Sequence, residues 1–114
     1  MKNTIELLGN GFESSSGLTP EFLEFFKVFK REFKKELNSI KASNITFSRG
    51  HFYVSGFFTV NNQPYYFSLS DVRGMGNLGT LMYRTANDYK DYTGGQNMFV
   101  TIENGMAEKM NIIK

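Results

Sequence analysis

Three segments gather the residues able to do chemistry: Ser68-Leu69-Ser70-Asp71-Val72-Arg73, Tyr83-Arg84-Thr85-Ala86, and Asp91-Tyr92-Thr93-Gly94-Gly95-Gln96-Asn97. Polar, charged and glycine residues cluster there between aromatic, strand-like runs. Such clusters sit at element ends and in loops, where binding groups concentrate. Arg73 and Arg84 carry planar guanidinium groups suited to forked recognition of a carboxylate or phosphate. Asp71 and Arg73, two residues apart, point the same way in extended chain. They either hold a ligand or partner, or they tie the following turn. The tie is favoured for Asp71, because strand-end carboxylates bond turn amides.

Other motifs weigh less. Gly74-Met75-Gly76-Asn77-Leu78-Gly79 matches the dinucleotide fingerprint G-x-G-x-x-G, which needs a strand before it and a helix after it. Thr80-Leu81-Met82-Tyr83-Arg84 reads as another strand, so these glycines are expected to build a tight connection. Thr93 to Asn97 can present backbone amides to an anion, but it lacks the Lys and long helix of a P-loop; a structural turn is the ordinary reading. His51 shares a strand face with Tyr53 and Phe57 and has no Cys partner, so a packed strand histidine is expected. Asp88, Tyr89, Asp91 and Tyr92, interrupted by Lys90, form an acidic-aromatic loop of a kind favoured at protein interfaces.

The absence of Cys removes a disulfide scaffold, a thiolate nucleophile and a cysteine zinc site, and a single His cannot build a histidine metal cluster. No cofactor and no metal are expected. Net charge is only +2, so local arrangement must carry any electrostatic argument. No apolar run reaches the roughly 18 residues of a membrane span, and the first residues do not read as a signal peptide. A cytoplasmic protein is expected. With 114 residues, 40% apolar and 21% charged, the chain reads as one globular domain over residues 1–114.

The elements that position these groups follow from periodicity. Ile5, Leu7 and Leu8 suit an edge strand or a flexible arm within residues 1–17. Thr19-Pro20-Glu21 starts a helix with a cap, a proline at the first position and an acid at the positive end of the dipole. It runs to about Ile40. Phe22, Phe25, Phe26, Phe29, Phe33, Leu37 and Ile40 form one stripe, with Leu23 and Val28 on its flanks. Lys27, Lys30, Arg31, Lys34, Lys35 and Lys41 face the other way, while Glu21, Glu32 and Glu36 gather on one border. Strands are expected over 45–48, 51–60, 65–70, 80–85 and 98–102, with a hairpin turn at Asn61-Asn62 and a polar loop from Ala86 to Gln96. A short helix closes the chain over 103–113. The fold class is α+β: a two-layer domain with a long amphipathic helix packed on an antiparallel β-meander and a short C-terminal helix.

Tyr65-Tyr66-Phe67-Ser68-Leu69-Ser70-Asp71-Val72-Arg73, Tyr83-Arg84-Thr85-Ala86 and Lys90-Asp91-Tyr92-Thr93-Gly94-Gly95-Gln96-Asn97 together resemble a pattern in small proteins of bacterial phages, plasmids and integrative elements. The chain is also similar to anti-CRISPR proteins in size, lack of Cys and lack of an enzyme signature. That resemblance implies a non-enzymatic inhibitor that binds a CRISPR effector nuclease, or its guide-RNA complex, in the cytoplasm of a host bacterium. It would block DNA entry or a domain movement. Contacts are expected through Arg73, Arg84, Tyr89, Asp91 and Tyr92, with the basic helix residues Lys27, Lys30, Arg31 and Lys34 alongside. A second reading is an accessory protein that binds nucleic acid through those basic residues. It would not be an RRM-type sheet, which needs an RNP pattern and a βαββαβ order. A third is a small anionic-ligand binder that uses both glycine segments.

Overall fold

Met1, Thr4, Ile5 and Leu8 recur at helical spacing, and Lys2–Asn10 is a helix, α1, in place of the expected strand or arm. The reason lies in what it packs on: Leu8 is buried and Ile5 and Leu7 lie against the core. The computed structural model describes residues 1–10, 20–50, 52–74, 79–88, 90–110 and 112. Thr19, the expected cap, and His51 lie outside them. The long helix α2 spans Pro20–Ser39 and buries Phe22, Phe25, Val28, Phe29, Phe33 and Leu37. Each such side chain contributes about 2 kcal/mol of burial before chain entropy is counted. The two flanks of its stripe differ. Val28 is covered, with α1 on its side, whereas Leu23 on the opposite flank stays 38% exposed.

Six antiparallel strands follow: β1 (Ser43–Arg49), β2 (Val54–Val60), β3 (Gln63–Leu69), β4 (Thr80–Asp88), β5 (Asp91–Gly94) and β6 (Met98–Thr101). The first five run as a meander, and β6 returns to pair with β4. The β2–β3 turn places Asn61 and Asn62 at φ 51° and 66°, the left-handed pair that a two-residue hairpin requires. Several boundaries differ from expectation: β1 starts at Ser43 and β3 at Gln63, each two residues early. β2 starts at Val54. The polar stretch 86–96 is largely strand, because β4 continues to Asp88 and β5 pairs back on it. The last helix, α3, covers only Met106–Lys109.

Period-two alternation sends Val54, Gly56, Phe58, Val60, Tyr65, Phe67, Leu69, Leu81, Tyr83, Val100 and Ile102 to the face that α2 covers. Phe33 meets Phe67 edge-on at 5.0 Å, and Phe47 meets Phe67 at 5.5 Å. Gly56 lies between them, cross-strand from both Phe47 and Phe67. A side chain there would strike the Thr46 carbonyl oxygen at 1.9 Å and the Phe67 ring at 2.7 Å. The β1 bulge between Ser43 and Thr46, with Asn44 at φ 52°, accompanies this close approach.

Two glutamates of α2 fasten the short helices. Glu32 Oε1 accepts from the Thr4 amide at 2.8 Å and the Thr4 hydroxyl at 2.6 Å. That amide belongs to the first turn of α1 and has no helical acceptor. Glu36 accepts from the Gly105 and Ala107 amides at 3.1 Å each, at the start of α3. Burial pushes the Glu32 carboxyl up, but the hydrogen bonds from Thr4 outweigh it and hold the group below its usual 4.5.

Two outcomes follow from this packing. Gly56→Ala should destabilise the protein by about 2 kcal/mol, measured by urea unfolding. Glu32 has a lowered pKa in the folded chain, so its contribution is present above 4.5 and fades as pH falls through the folded value. Glu32→Gln should therefore be less stable than the parent at neutral pH and lose less on acidification, a difference that Tm measured across pH reads directly.

Candidate binding surface

The helices cover one face of the sheet. On the other, outward side chains are half-buried or exposed, apart from the small Ala86. Cross-strand register orders them into rows. Thr46, Phe57, Tyr66 and Arg84 stand opposite one another across β1 to β4. The adjacent row holds Ser48, Ser55, Ser68, Met82 and Phe99.

The centre of this face is an aromatic-cation cluster. The Phe57 and Tyr66 rings lie 5.4 Å apart, and the Arg84 guanidinium sits 5.1 Å from the Tyr66 ring centre. Arg84 Nη1 also donates to Asn97 Oδ1 at 3.0 Å, which ties the group to the segment before β6. Phe99 stands 65% exposed beside Met82. Aromatic, Met and Arg side chains framed by hydroxyls, with Arg84 the one charge in both rows, match the composition of a protein–protein contact more than that of ordinary surface.

The expected contact residues scatter around this face. Arg84 is at its centre. Arg73 lies where β3 gives way to a 3-10 turn, Val72–Gly74, and makes a two-pronged pair with Asp71 at 3.0 and 2.7 Å, over the Phe52 ring at 4.6 Å. Hydrogen bonds from the Arg73 side chain and then its amide hold the Asp71 carboxyl below its usual range. Asp71 is thus a turn tie. Asp91 sits at the opposite end, in the β4–β5 hairpin. Lys27, Lys30, Arg31 and Lys34 are exposed on α2, across the core from Arg84. Tyr89, Met75, Gly76, Asn77 and Leu78 lie outside the described residues, as does the side chain of Tyr92. Phe57, Met82 and Phe99 were not singled out by motif, and Asn97 was named only as the end of the second glycine segment. The buried pair Val100 and Ile102, two apart, was the available signal that Phe99 points outward.

Thr80 starts a strand directly after the first glycine segment, as expected. The second lies against Thr85 and Ala86, about 20 Å farther along β4 at ordinary strand rise. In it, the Gly95 amide is spent on the Thr85 carbonyl at 3.0 Å, and the Thr93 amide on Asp91 Oδ1 at 3.0 Å. A side chain at Gly94 would meet the Thr85 oxygen at 1.9 Å. β5 and β6 together line β4 from Asp88 to Thr80, and each register slip admits one extra residue. The segment forms a bulge along the edge that lines β4, with its Thr93 and Gly95 amides already paired. Among the described residues, Gly79 therefore lies at one end of β4 and Gly94 and Gly95 toward the other.

Among the described residues, no cluster of three or more His, Asp or Glu side chains is placed to hold a metal, and no helix is long and apolar enough to cross a membrane. Compared with protein-family models, curated proteins and solved structures, the chain matches none.

The Thr93 hydroxyl and amide, then Asn87, hold the Asp91 carboxyl below its usual 3.8. The tie is intact above that value and opens as pH falls through the lowered one. The Thr93 amide proton should shift with a midpoint below 3.8 in an NMR titration, and Asp91→Asn should abolish that shift.

Proposed function

We propose that this protein is a non-enzymatic inhibitor that binds a bacterial defence nuclease and blocks DNA binding or a conformational step, in the manner of an anti-CRISPR protein. One observation supports a binding role above the others: the Phe57–Tyr66–Arg84 cluster, continued by Met82 and Phe99, on a sheet face that none of the described helices covers. The resemblance to mobile-element proteins supplies the partner class, a CRISPR effector nuclease or its guide-RNA complex. Two features favour a protein surface over a nucleic-acid strand as the direct contact. The two described rows of this face carry one cation, Arg84, whereas a strand bound through its phosphates calls for several. Its aromatic and Arg groups are those that dominate affinity when they enter a partner's pockets. Arg73 and the Asp91 hairpin, at opposite ends of the sheet, would frame the contact.

The test is inhibition of target-DNA cleavage by a purified effector nuclease. Arg84→Ala and Phe99→Ala should each weaken inhibition by about 30-fold, the effect of losing an anchor worth about 2 kcal/mol. Their Tm should remain near that of the parent, since both side chains lie outside the core. Inhibition by the double variant equal to the parent's would remove this face from the mechanism. A labelled oligonucleotide shifted by the protein alone, with steep log-linear loss in salt, would favour the nucleic-acid reading.

A further inference from the structure

A second surface lies on the opposite side of the molecule, at the seam between α2 and β1. β1 ends the sheet path and has β2 as its one strand neighbour among the described residues. The Gly50 amide donates to the Tyr53 carbonyl at 3.1 Å, which sets the phase of the pairing. Antiparallel alternation then makes Ser48 and Ser55 the next bonded pair. The N–H and C=O groups of Phe47 and Arg49 are left turned away from β2, as a ladder open to one more strand.

The side chains beside that ladder have a definite chemistry. Ile45, Phe47 and Phe26 are half-buried against the core, and Leu23 is 38% exposed on the same flank of α2. Cations roof this apolar floor. Lys30 Nζ lies 6.0 Å from the centre of the Phe47 ring, and the Arg49 guanidinium 5.9 Å from that of Phe26. Lys27 and Lys34 follow Lys30 and Leu23 on this flank at helical spacing and are exposed. Among the described residues of α2 no carboxylate shares it: Glu32 and Glu36 are turned to α1 and α3, and Glu24 lies on the α1 side with Val28.

We propose that this edge accepts an extended acidic peptide segment of a protein partner as an added strand. Its backbone would pair with Phe47 and Arg49, its apolar side chains would rest on Phe26 and Phe47, and its carboxylates would meet Lys27, Lys30, Lys34 and Arg49. Charge disfavours a second copy of this chain, since pairing two such edges brings their cations together. Backbone chemistry disfavours a DNA strand, whose phosphodiester backbone accepts hydrogen bonds but has no donor for the outward carbonyls. This surface is separate from the open sheet face, and its variants leave Arg84 and Phe99 in place.

The experiment is an NMR titration with a short synthetic peptide alternating aspartate and valine. Saturable shifts of the Phe47 and Arg49 amides are expected, with a Kd of about 1 mM or tighter. The K27E/K30E/K34E variant should bind that peptide about tenfold more weakly and take up a lysine-valine peptide instead. Arg49→Pro, which deletes an outward N–H, should bind far less than Arg49→Gln, which keeps it. The proposal is overturned by unmoved Phe47 and Arg49 amides at saturating peptide, or by equal binding to the charge-reversed protein. It is equally overturned by an oligonucleotide that shifts these amides where the peptide does not, or by concentration-dependent shifts without peptide, which would mark self-pairing.

Discussion

The phenylalanine stripe of α2 lying on the sheet is the constraint that everything else answers to. Phe22, Phe25, Phe29 and Phe33 are fully buried, and the sheet side meets them with Phe52, Phe58, Phe67 and Tyr65. Rings of this size interdigitate only where one position is left empty, and Gly56 is that position. Once α2 is seated, its borders are oriented too. Glu32 and Glu36 come to face the free amides of two short helices that could not persist alone. α1 and α3 are thus held by a helix whose own position is set by packing.

A one-sided helical layer has a consequence for binding. Every described helix is committed to the core face, so no described helix covers the outward rows of β1 to β4 and β6, and the residues there are drawn from strands distant in sequence. Thr46, Phe57, Tyr66 and Arg84 become neighbours through register alone. Charge divides in the same way. The carboxylates of α2 nearest the core are used internally, and its basic residues are left on the β1 flank and the solvent side. The molecule therefore presents two unlike faces, one aromatic with a single guanidinium and one basic over an apolar seam.

Much of this was legible in the chain. The three- and four-residue spacing of the phenylalanines marks α2, the alternation from Val54 to Val60 marks a half-buried strand, and Asn61-Asn62 marks a two-residue turn. The misreadings have physical causes. Ile5, Leu7 and Leu8 look like an extended run because Thr4, buried by its bond to Glu32, does not read as a core residue. Residues 86–96 look like a loop because their side chains are polar, yet strand pairing uses the backbone and is indifferent to that. Glu32 and Glu36 look like solvated counter-charges because nothing local reveals the amides they meet.

What the amino-acid order determined by itself is local: which segments are helical or extended, which of their faces is apolar, and that a strand and not a helix begins at Thr80, after the first glycine segment. These follow from periodicity and backbone preference within a few residues. Which polar groups stand together was decided only by the tertiary structure. Asp71 was taken up by Arg73 within its own turn, Arg84 was laid on Tyr66, Asp91 was sent to the far end of the sheet, and the α2 cations were placed across the core from Arg84. Strand register and the side of the sheet chosen by α2 are set by the summed packing of distant residues, and no single segment carries that information.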